Sequence, residues 1–495
     1  MAATFNVKKL GRPSIDPLIM LLVVIATVTL IRVITLTASQ LDLHGDEAQY
    51  WSWSEVLDWG YYTKPPAIAW IIHFTTALFG DSEWAVRLSS PLLHSGTSLL
   101  CGLIAHRLYG EKALFWGGIL FLTLPAVSFS SCIISTDVPL LFFWALALYS
   151  MINLLENRHP LWAIVLGITI GFGILSKYAM AYFIICLVLS CFIIKRDKWF
   201  LKSWQAILTL TTAILTIFPN ILWNIDSDWV TVAHLGDNVN LKGELFNISH
   251  AGIFLAEQAG IFGPILFLIL LFRIIAVTRG TSENRETWLL CYVLPVLAIV
   301  TVQAVLSRAN ANWAAPAYIA ATILVTGWII NHSNKWILWV CIPFHTAIML
   351  AVIIYYLGIP GIEPPLKSDP LRKLRGWQET SDAIAKIMVD RPNHILLSED
   401  RKVMASLLYG LRHKMLNPLI WDYDGHPNHH YELTAKYKPK TGDEVLLVAK
   451  WEYPYPILNQ FASKKSLGTV EVPIGKGIKR KLYLFELADY ASNQN

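Results

Sequence analysis

The run DPLIMLLVVIATVTLIRVITLTA (residues 16–38), followed closely by LHGDEAQY (43–50), decides the fold. Its first part is long enough to cross a bilayer, which takes about 20 consecutive apolar residues. Its second part sets two adjacent carboxylates, Asp46 and Glu47, beside the end of that crossing, and YYTKPP (61–66) adds Lys64. Charge at a membrane boundary is costly, so such groups are functional candidates by default. The plainer reading is a solvated loop whose charges face water. The rest of the chain decides between the two.

The apolar character recurs along all 495 residues, of which 55% are hydrophobic and 15% charged, for a mean hydropathy of +0.47. Soluble domains carry about a quarter charged residues, so the chain reads as a polytopic α-helical membrane protein. Its 20 tryptophans suit the headgroup level of a bilayer. Eleven crossings are predicted, at 16–38, 83–107, 112–130, 138–155, 161–176, 178–194, 204–223, 252–275, 287–306, 313–331 and 335–357. The shorter apolar piece 66–79 reads as lying at the interface. Five of the six cysteines sit inside apolar segments and Cys132 near the end of one, so no disulfide or zinc framework is expected. No cleavable signal peptide is recognisable.

Basic residues test the topology. With Lys8, Lys9 and Arg12 in the cytoplasm, the cytoplasmic connections carry Arg107, Lys112, Arg158, Lys195, Arg196, Lys198, Lys202, Arg273, Arg279, Arg285 and Lys335. The opposite connections hold Asp46, Glu47, Asp137, Asp226, Asp228 and Asp237. An odd number of crossings leaves the C-terminus outside. The acidic connections and the C-terminal part are then expected on the side of the membrane away from the cytoplasm.

Residues 1–357 thus read as the membrane part, with a first outward loop at 39–82. Residues 358–495 change to a mixed composition, 20 Lys+Arg against 16 Asp+Glu, a balance of +4. Helices are predicted at 376–389 and 400–411 and strands at 394–398, 444–449 and 482–487, giving a small α/β domain.

The outward span ends gather the polar groups. Ser135-Thr136-Asp137, Ser176-Lys177-Tyr178 and Arg308 to Asn312 join the first loop, while 224–251 carries Trp229, His234 and His250. A carboxylate there can accept a proton from an attacking hydroxyl, and lysines can hold a phosphate as point charges. The set suits a reaction whose leaving group is a lipid-linked phosphate. Pro65-Pro66 stiffens the chain after Lys64. Asp137 also reads as a helix N-cap, and the lysines as groups snorkelling to headgroups. His44 can organise the acids. A divalent metal on His44, Asp46 and Glu47 is the weaker reading, no cofactor is expected, and His429-His430 reads as a surface pair.

His44-Gly-Asp46-Glu47-Ala-Gln-Tyr50, Tyr62-Thr-Lys64-Pro65-Pro66, Ser135-Thr-Asp137-Val-Pro, Leu175-Ser-Lys177-Tyr and Asn312-Trp-Ala-Ala-Pro-Ala-Tyr318 together resemble the bacterial GT-C glycosyltransferases. That branch includes lipid A aminoarabinose transferases and polyprenyl-phosphate-sugar-dependent mannosyl- and galacturonosyltransferases. The resemblance spans about residues 15–357, and the C-terminal part is similar in layout. It implies that Asp46 is the catalytic base, with Glu47 and Asp137 assisting, and that Lys64 and Lys177 grip the donor's polyprenyl phosphate. Arg308 falls among donor-phosphate groups, and His44, Tyr50, Tyr62 and Asn312 among substrate-facing ones. Thr63 departs from the pattern: aminoarabinose transferases carry an acid there, which leaves the sugar open.

The implied activity is transfer of a sugar from a polyprenyl-phosphate donor to an envelope acceptor, lipid A or lipopolysaccharide core, without nucleic acid. A protein hydroxyl as acceptor, a polyprenyl-lipid flippase and a carrier-binding scaffold are the rivals. A flippase should show inverted repeats and charge near the midplane, whereas this chain gathers its charge at one face.

Overall fold

The computed structural model describes residues 16–239, 246–280, 283–359, 369, 371–475 and 477–491. The predicted roles of Lys8, Lys9 and Arg12, and the side chain of Asp237, lie outside the described residues. Six helices are long and apolar enough to cross a membrane: Pro17–Ala38, Glu83–Tyr109, Asp137–Asn157, Trp204–Asp226, Asn284–Leu306 and Trp336–Tyr356. The count becomes eight when each of two sharply bent helix pairs is taken as one crossing, and Ala67–Phe79, Pro160–Ser176 and Ala317–Asn331 are shorter apolar helices.

The apolar run 252–275, expected to be one crossing, is built of two helices, Ile248–Phe262 and Pro264–Val277, bent by 115°. The cause is local. Gly263 takes a φ of +92°, which an L side chain resists, and Pro264 then starts a new helix at its favoured first position.

Glu83–Tyr109 and Asp137–Asn157 form the interior of the bundle, each 72% buried over its most apolar window, whereas Trp204–Asp226 is only 17% buried. Lipid tails offer no hydrophobic drive for helix association, so close backbone approach through small residues matters. Pro160–Ser176 shows this against Trp204–Asp226: a Cβ at Gly167 would lie 1.9 Å from Thr212 Oγ1, and one at Gly171 2.5 Å from Thr216 Cβ.

The C-terminal part holds a five-stranded sheet of β1 (Ile395–Ser398), β2 (Leu419–Ile420), β3 (Val445–Ala449), β4 (Phe461–Gly475) and β5 (Ile478–Tyr490) in the order β2-β1-β3-β5-β4. β1 runs parallel to β2 and β3, and β5 antiparallel to β3 and β4. Alternate residues serve two cores. Leu396, Leu446, Val448 and Leu484 pack under helices Trp377–Val389 and Arg401–Gly410, while Leu397, Val445, Leu447 and Leu487 pack with Trp421, Ile457 and Phe461. Covering on both faces is what a parallel sheet requires.

This sheet unit docks onto the short helix Gly45–Ser54 in the connection that follows Pro17–Ala38. Ala48, Tyr50, Trp51 and Trp53 share one core with Met404, Ala405, Tyr409, Ile420 and Tyr431. Gly45 permits the approach, because a Cβ there would lie 2.9 Å from Lys402 Cβ.

Candidate active site

His44 starts helix Gly45–Ser54 with a capping box: its Nδ1 accepts from the Asp46 amide, and Glu47 accepts from the His44 amide. The cap satisfies orphan donors of the first turn and fixes the direction of Asp46. Glu47 is buried and fully engaged. Arg87 Nε donates to its Oε1 at 3.0 Å and Nη2 to its Oε2 at 2.8 Å, and the Ile134 amide adds a 2.9 Å bond. The same guanidinium donates to the carbonyls of Leu41 and Asp42. Glu47 therefore ties the loop together and has no lone pair to spare for a substrate proton.

Asp46 keeps an open oxygen. Arg401, from the first turn of helix Arg401–Gly410, donates to Oδ1 at 2.9 Å, while Oδ2 lies 3.6 Å from His44 Nδ1. Burial pushes the Asp46 carboxyl up, but Arg401 and Lys402 outweigh it and hold it below the ordinary carboxylate value. Burial also draws His44 below its usual value, overcoming Asp46 and Glu47, so its neutral ring accepts from the Asp46 amide. Replacing Arg401 by Gln is expected to raise the Asp46 pKa and move the acid limb of the kcat/KM–pH profile to higher pH. An unmoved limb would show that Arg401 does not set this ionisation.

Lys64 sits at the end of a tight turn closed by mutual Tyr61 and Lys64 backbone bonds of 3.1 and 3.3 Å. Tyr61 is stacked on Trp53 at 4.6 Å and donates to the Trp53 carbonyl, which anchors that turn. Burial, then Lys177, pull the Lys64 ammonium below its usual value, with Asp137 and Asp46 opposing. No ion pair or hydrogen bond from Lys64 Nζ is found among the described residues. Lys177, at the extended C-cap of Pro160–Ser176, pairs with Asp137 Oδ1 at 2.7 Å. Asn312 Nδ2 donates to Asp137 Oδ2, also at 2.7 Å. The expected N-cap role of Asp137 is not the observed one: Thr136 holds that position, and the Asp137 carboxylate orients Lys177 and Asn312.

These groups line one cavity of about 1230 Å³. His44, Asp46, Glu47, Tyr50, Lys64, Asp137, Lys177 and Asn312 all reach it. Tyr62 does not line it; its hydroxyl donates to the Pro427 carbonyl at 2.6 Å and so steadies the neighbouring loop. Arg308 is exposed and is not among the residues that line the cavity. Ile299, Val300, Val302 and Leu306 add an apolar wall, and Val302 is 56% exposed on the outer surface.

Sequence reasoning missed the wall contributed by the C-terminal unit, Lys373, Arg401, Asn428 and His429. The expectation of a surface pair at His429-His430 is overturned. His429 lines the cavity, and the His430 ring meets Trp53 and Tyr61 edge-on at 5.5 Å. Burial first, with Arg401 beside it, lowers the His429 pKa to about 4. No group of three His, Cys, Asp or Glu able to hold a metal occurs among the described residues.

The helical membrane bundle with its small C-terminal sheet has the fold of a GT-C glycosyltransferase. ArnT from Cupriavidus metallidurans bound to undecaprenyl phosphate has the same fold, at a TM-score of 0.66 and 15% identity over 96% of this chain and 99% of that one. Residues 63–223 match the dolichyl-phosphate-mannose-protein mannosyltransferase family. The chain is 32% identical over 424 residues to lipid A galacturonosyltransferase RgtD of Rhizobium johnstonii, covering 83% of this chain and 86% of RgtD. It is also 24% identical over 290 residues to undecaprenyl phosphate-alpha-4-amino-4-deoxy-L-arabinose arabinosyl transferase 2 of Pseudomonas fluorescens, covering 55% and 50%. The chain belongs to the GT-C family of multi-pass membrane glycosyltransferases that includes RgtD, and it is an enzyme of that class.

Proposed function

We propose that the enzyme transfers galacturonic acid from a polyprenyl-phosphate donor to lipid A or the lipopolysaccharide core, at the periplasmic face of the inner membrane. One observation carries the reading: Asp46 Oδ2 and the Lys64 ammonium, which has no ion pair or hydrogen bond among the described residues, share a cavity that also has an apolar wall. The carboxylate suits the acceptor hydroxyl, the ammonium the donor phosphate, and the wall of Ile299 to Leu306 the isoprenoid chain. Three features favour a uronic acid. RgtD is a galacturonosyltransferase by name, Thr63 offers no acid to an amino sugar, and Arg401 and Lys373 suit a sugar carboxylate.

In this mechanism Asp46 Oδ2 takes the proton of the acceptor hydroxyl as its oxygen attacks the anomeric carbon. The bond from that carbon to the phosphate oxygen breaks, and the polyprenyl phosphate leaves with the electron pair. Lys64, with Lys177 beside Asp137, stabilises the added negative charge, the kind of electrostatic contribution that dominates many such reactions. Glu47 and Asp137 position rather than react. A single displacement inverts the sugar carbon.

The topology is part of the proposal. Arg107, Arg196 and Arg285 converge around a second cavity, built from connections assigned to the cytoplasm and distinct from the candidate site. Residues 1–357 form the membrane domain and 358–495 the periplasmic one. Eleven crossings follow if Glu111–Thr123 with Pro125–Ser130, Pro160–Ser176 and Ala317–Asn331 also cross. The family assignment replaces the flippase and scaffold readings.

Membranes holding the enzyme should move label from polyprenyl-phosphate galacturonate into lipid A or core, and mass spectrometry should show one hexuronic acid added. Transfer from an aminoarabinose donor alone would overturn the sugar assignment. Lys64→Ala is expected to raise the donor KM by about 10- to 100-fold, the loss of one charged hydrogen-bonding group. An unchanged donor KM would remove Lys64 from the phosphate site.

A further inference from the structure

The three parallel strands all end on one edge of the sheet. After β1 comes Glu399-Asp400-Arg401, after β2 Trp421-Asp422-Tyr423, and after β3 Lys450-Trp451-Glu452-Tyr453-Pro454-Tyr455-Pro456. In open α/β sheets the carboxyl ends of the strands are where ligands bind. Here that edge already delivers Arg401, Asn428 and His429 to the catalytic cavity. Beyond the cavity it carries aromatic side chains held out in solvent: Trp451 is 64% exposed, Tyr453 61%, Tyr455 58% and Tyr423 49%.

These rings are fixed in place. Tyr453 and Tyr455 stack at 5.6 Å with planes 11° apart. Pro454 and Pro456 stiffen the segment, and buried Ile457 and Leu458 root it in the core. Glu399 joins two of the edge loops, accepting from the Tyr423 hydroxyl at 2.8 Å and from the Lys450 amide at 2.9 Å. Lys450 Nζ pairs with Asp400, the residue before Arg401. The aromatic segment is therefore braced directly against the wall of the site.

We propose that Trp451, Tyr453 and Tyr455, with Tyr423 beside them, form a platform that binds the neutral sugar rings of the acceptor glycolipid. This rests on the glycosyltransferase reading above. Rigid Tyr and Trp side chains give large amphipathic contact area at low entropic cost. Their faces cover the apolar C–H faces of a pyranose, while the exposed carboxylates of Glu452 and Asp424 accept sugar hydroxyls. The same carboxylates oppose docking on an anionic bilayer surface. The platform lies beyond the cavity, on the strand edge that supplies Arg401, Asn428 and His429 to it, and Arg401 in turn contacts Asp46.

The test uses the full-length enzyme in lipid nanodiscs, with polyprenyl-phosphate galacturonate as donor and lipid A as acceptor. Tyr453→Ala/Tyr455→Ala should raise the acceptor KM about tenfold, the scale of two lost aromatic contacts, and leave the donor KM and kcat unchanged. Deacylated lipid A disaccharide should inhibit the wild type competitively and the variant far less. Wild-type transfer with an unchanged acceptor KM in the variant overturns the platform alone. Quenching of Trp451 by brominated lipids, read as the difference between wild type and Trp451→Phe, would place the segment in the bilayer and also overturn it. A wild type inert toward both lipid A and core removes the functional reading, and this inference with it.

Discussion

Asp46→Asn is expected to leave the fold and donor binding intact and to lower kcat by about 10²- to 10⁴-fold, the usual contribution of a positioned general base. The asparagine is nearly isosteric, and its carbonyl oxygen still accepts from Arg401, so the contact between loop and C-terminal unit survives. What disappears is the lone pair that takes the acceptor's proton. No neighbour can substitute. The Glu47 oxygens are held by Arg87, the His44 amide and the Ile134 amide, and those of Asp137 by Lys177 and Asn312. Transfer of labelled sugar, measured beside the donor Kd, checks the result. A variant that binds donor and retains transfer within tenfold of wild type would remove Asp46 from the role of base.

The membrane part of this site was legible because composition and charge act over short sequence distances. Asp46, Lys64, Asp137, Lys177 and Asn312 all follow or precede apolar runs, and alternation of charge along the chain puts them at one face before any tertiary contact is known. Arg401 follows no such rule. It lies 355 residues from the carboxylate it pairs with, and only the packing of Met404, Ala405 and Tyr409 on helix Gly45–Ser54 brings it there. Asn428 and His429 were hidden for the same reason, and the polar setting of the two histidines favoured a surface reading.

Two local details were not legible, for local reasons. Hydropathy averages across Gly263-Pro264, although that dipeptide is itself a turn signal, so the bent pair read as one span. Arg308 shares the connection that carries Asn312, but it follows the end of helix Leu294–Leu306 and is exposed. The long hairpin of β4 and β5 was half seen, because β4 is exposed over most of its length and lacks strict alternation.

Arg87→Met is expected to be the most damaging substitution for stability, at about 3–5 kcal/mol, the cost of stranding one member of a buried ion pair. Arg87 and Glu47 are almost fully buried, at 1% and 2% exposure. Removing the guanidinium leaves the Glu47 carboxylate with two amide bonds and no counter-charge, and deprives the Leu41 and Asp42 carbonyls of their donor. Thermal unfolding in detergent should show the loss as a markedly lower Tm. The double variant Glu47→Leu/Arg87→Met separates charge from architecture. With both charges gone the burial penalty is lifted, so much of the stability should return, as whole-pair replacement often allows. Activity should not return with it, because the His44 and Ile134 amides have then lost the acceptor that sets the first turn carrying Asp46. A double variant as active as wild type would show that Glu47 is dispensable for placing the base.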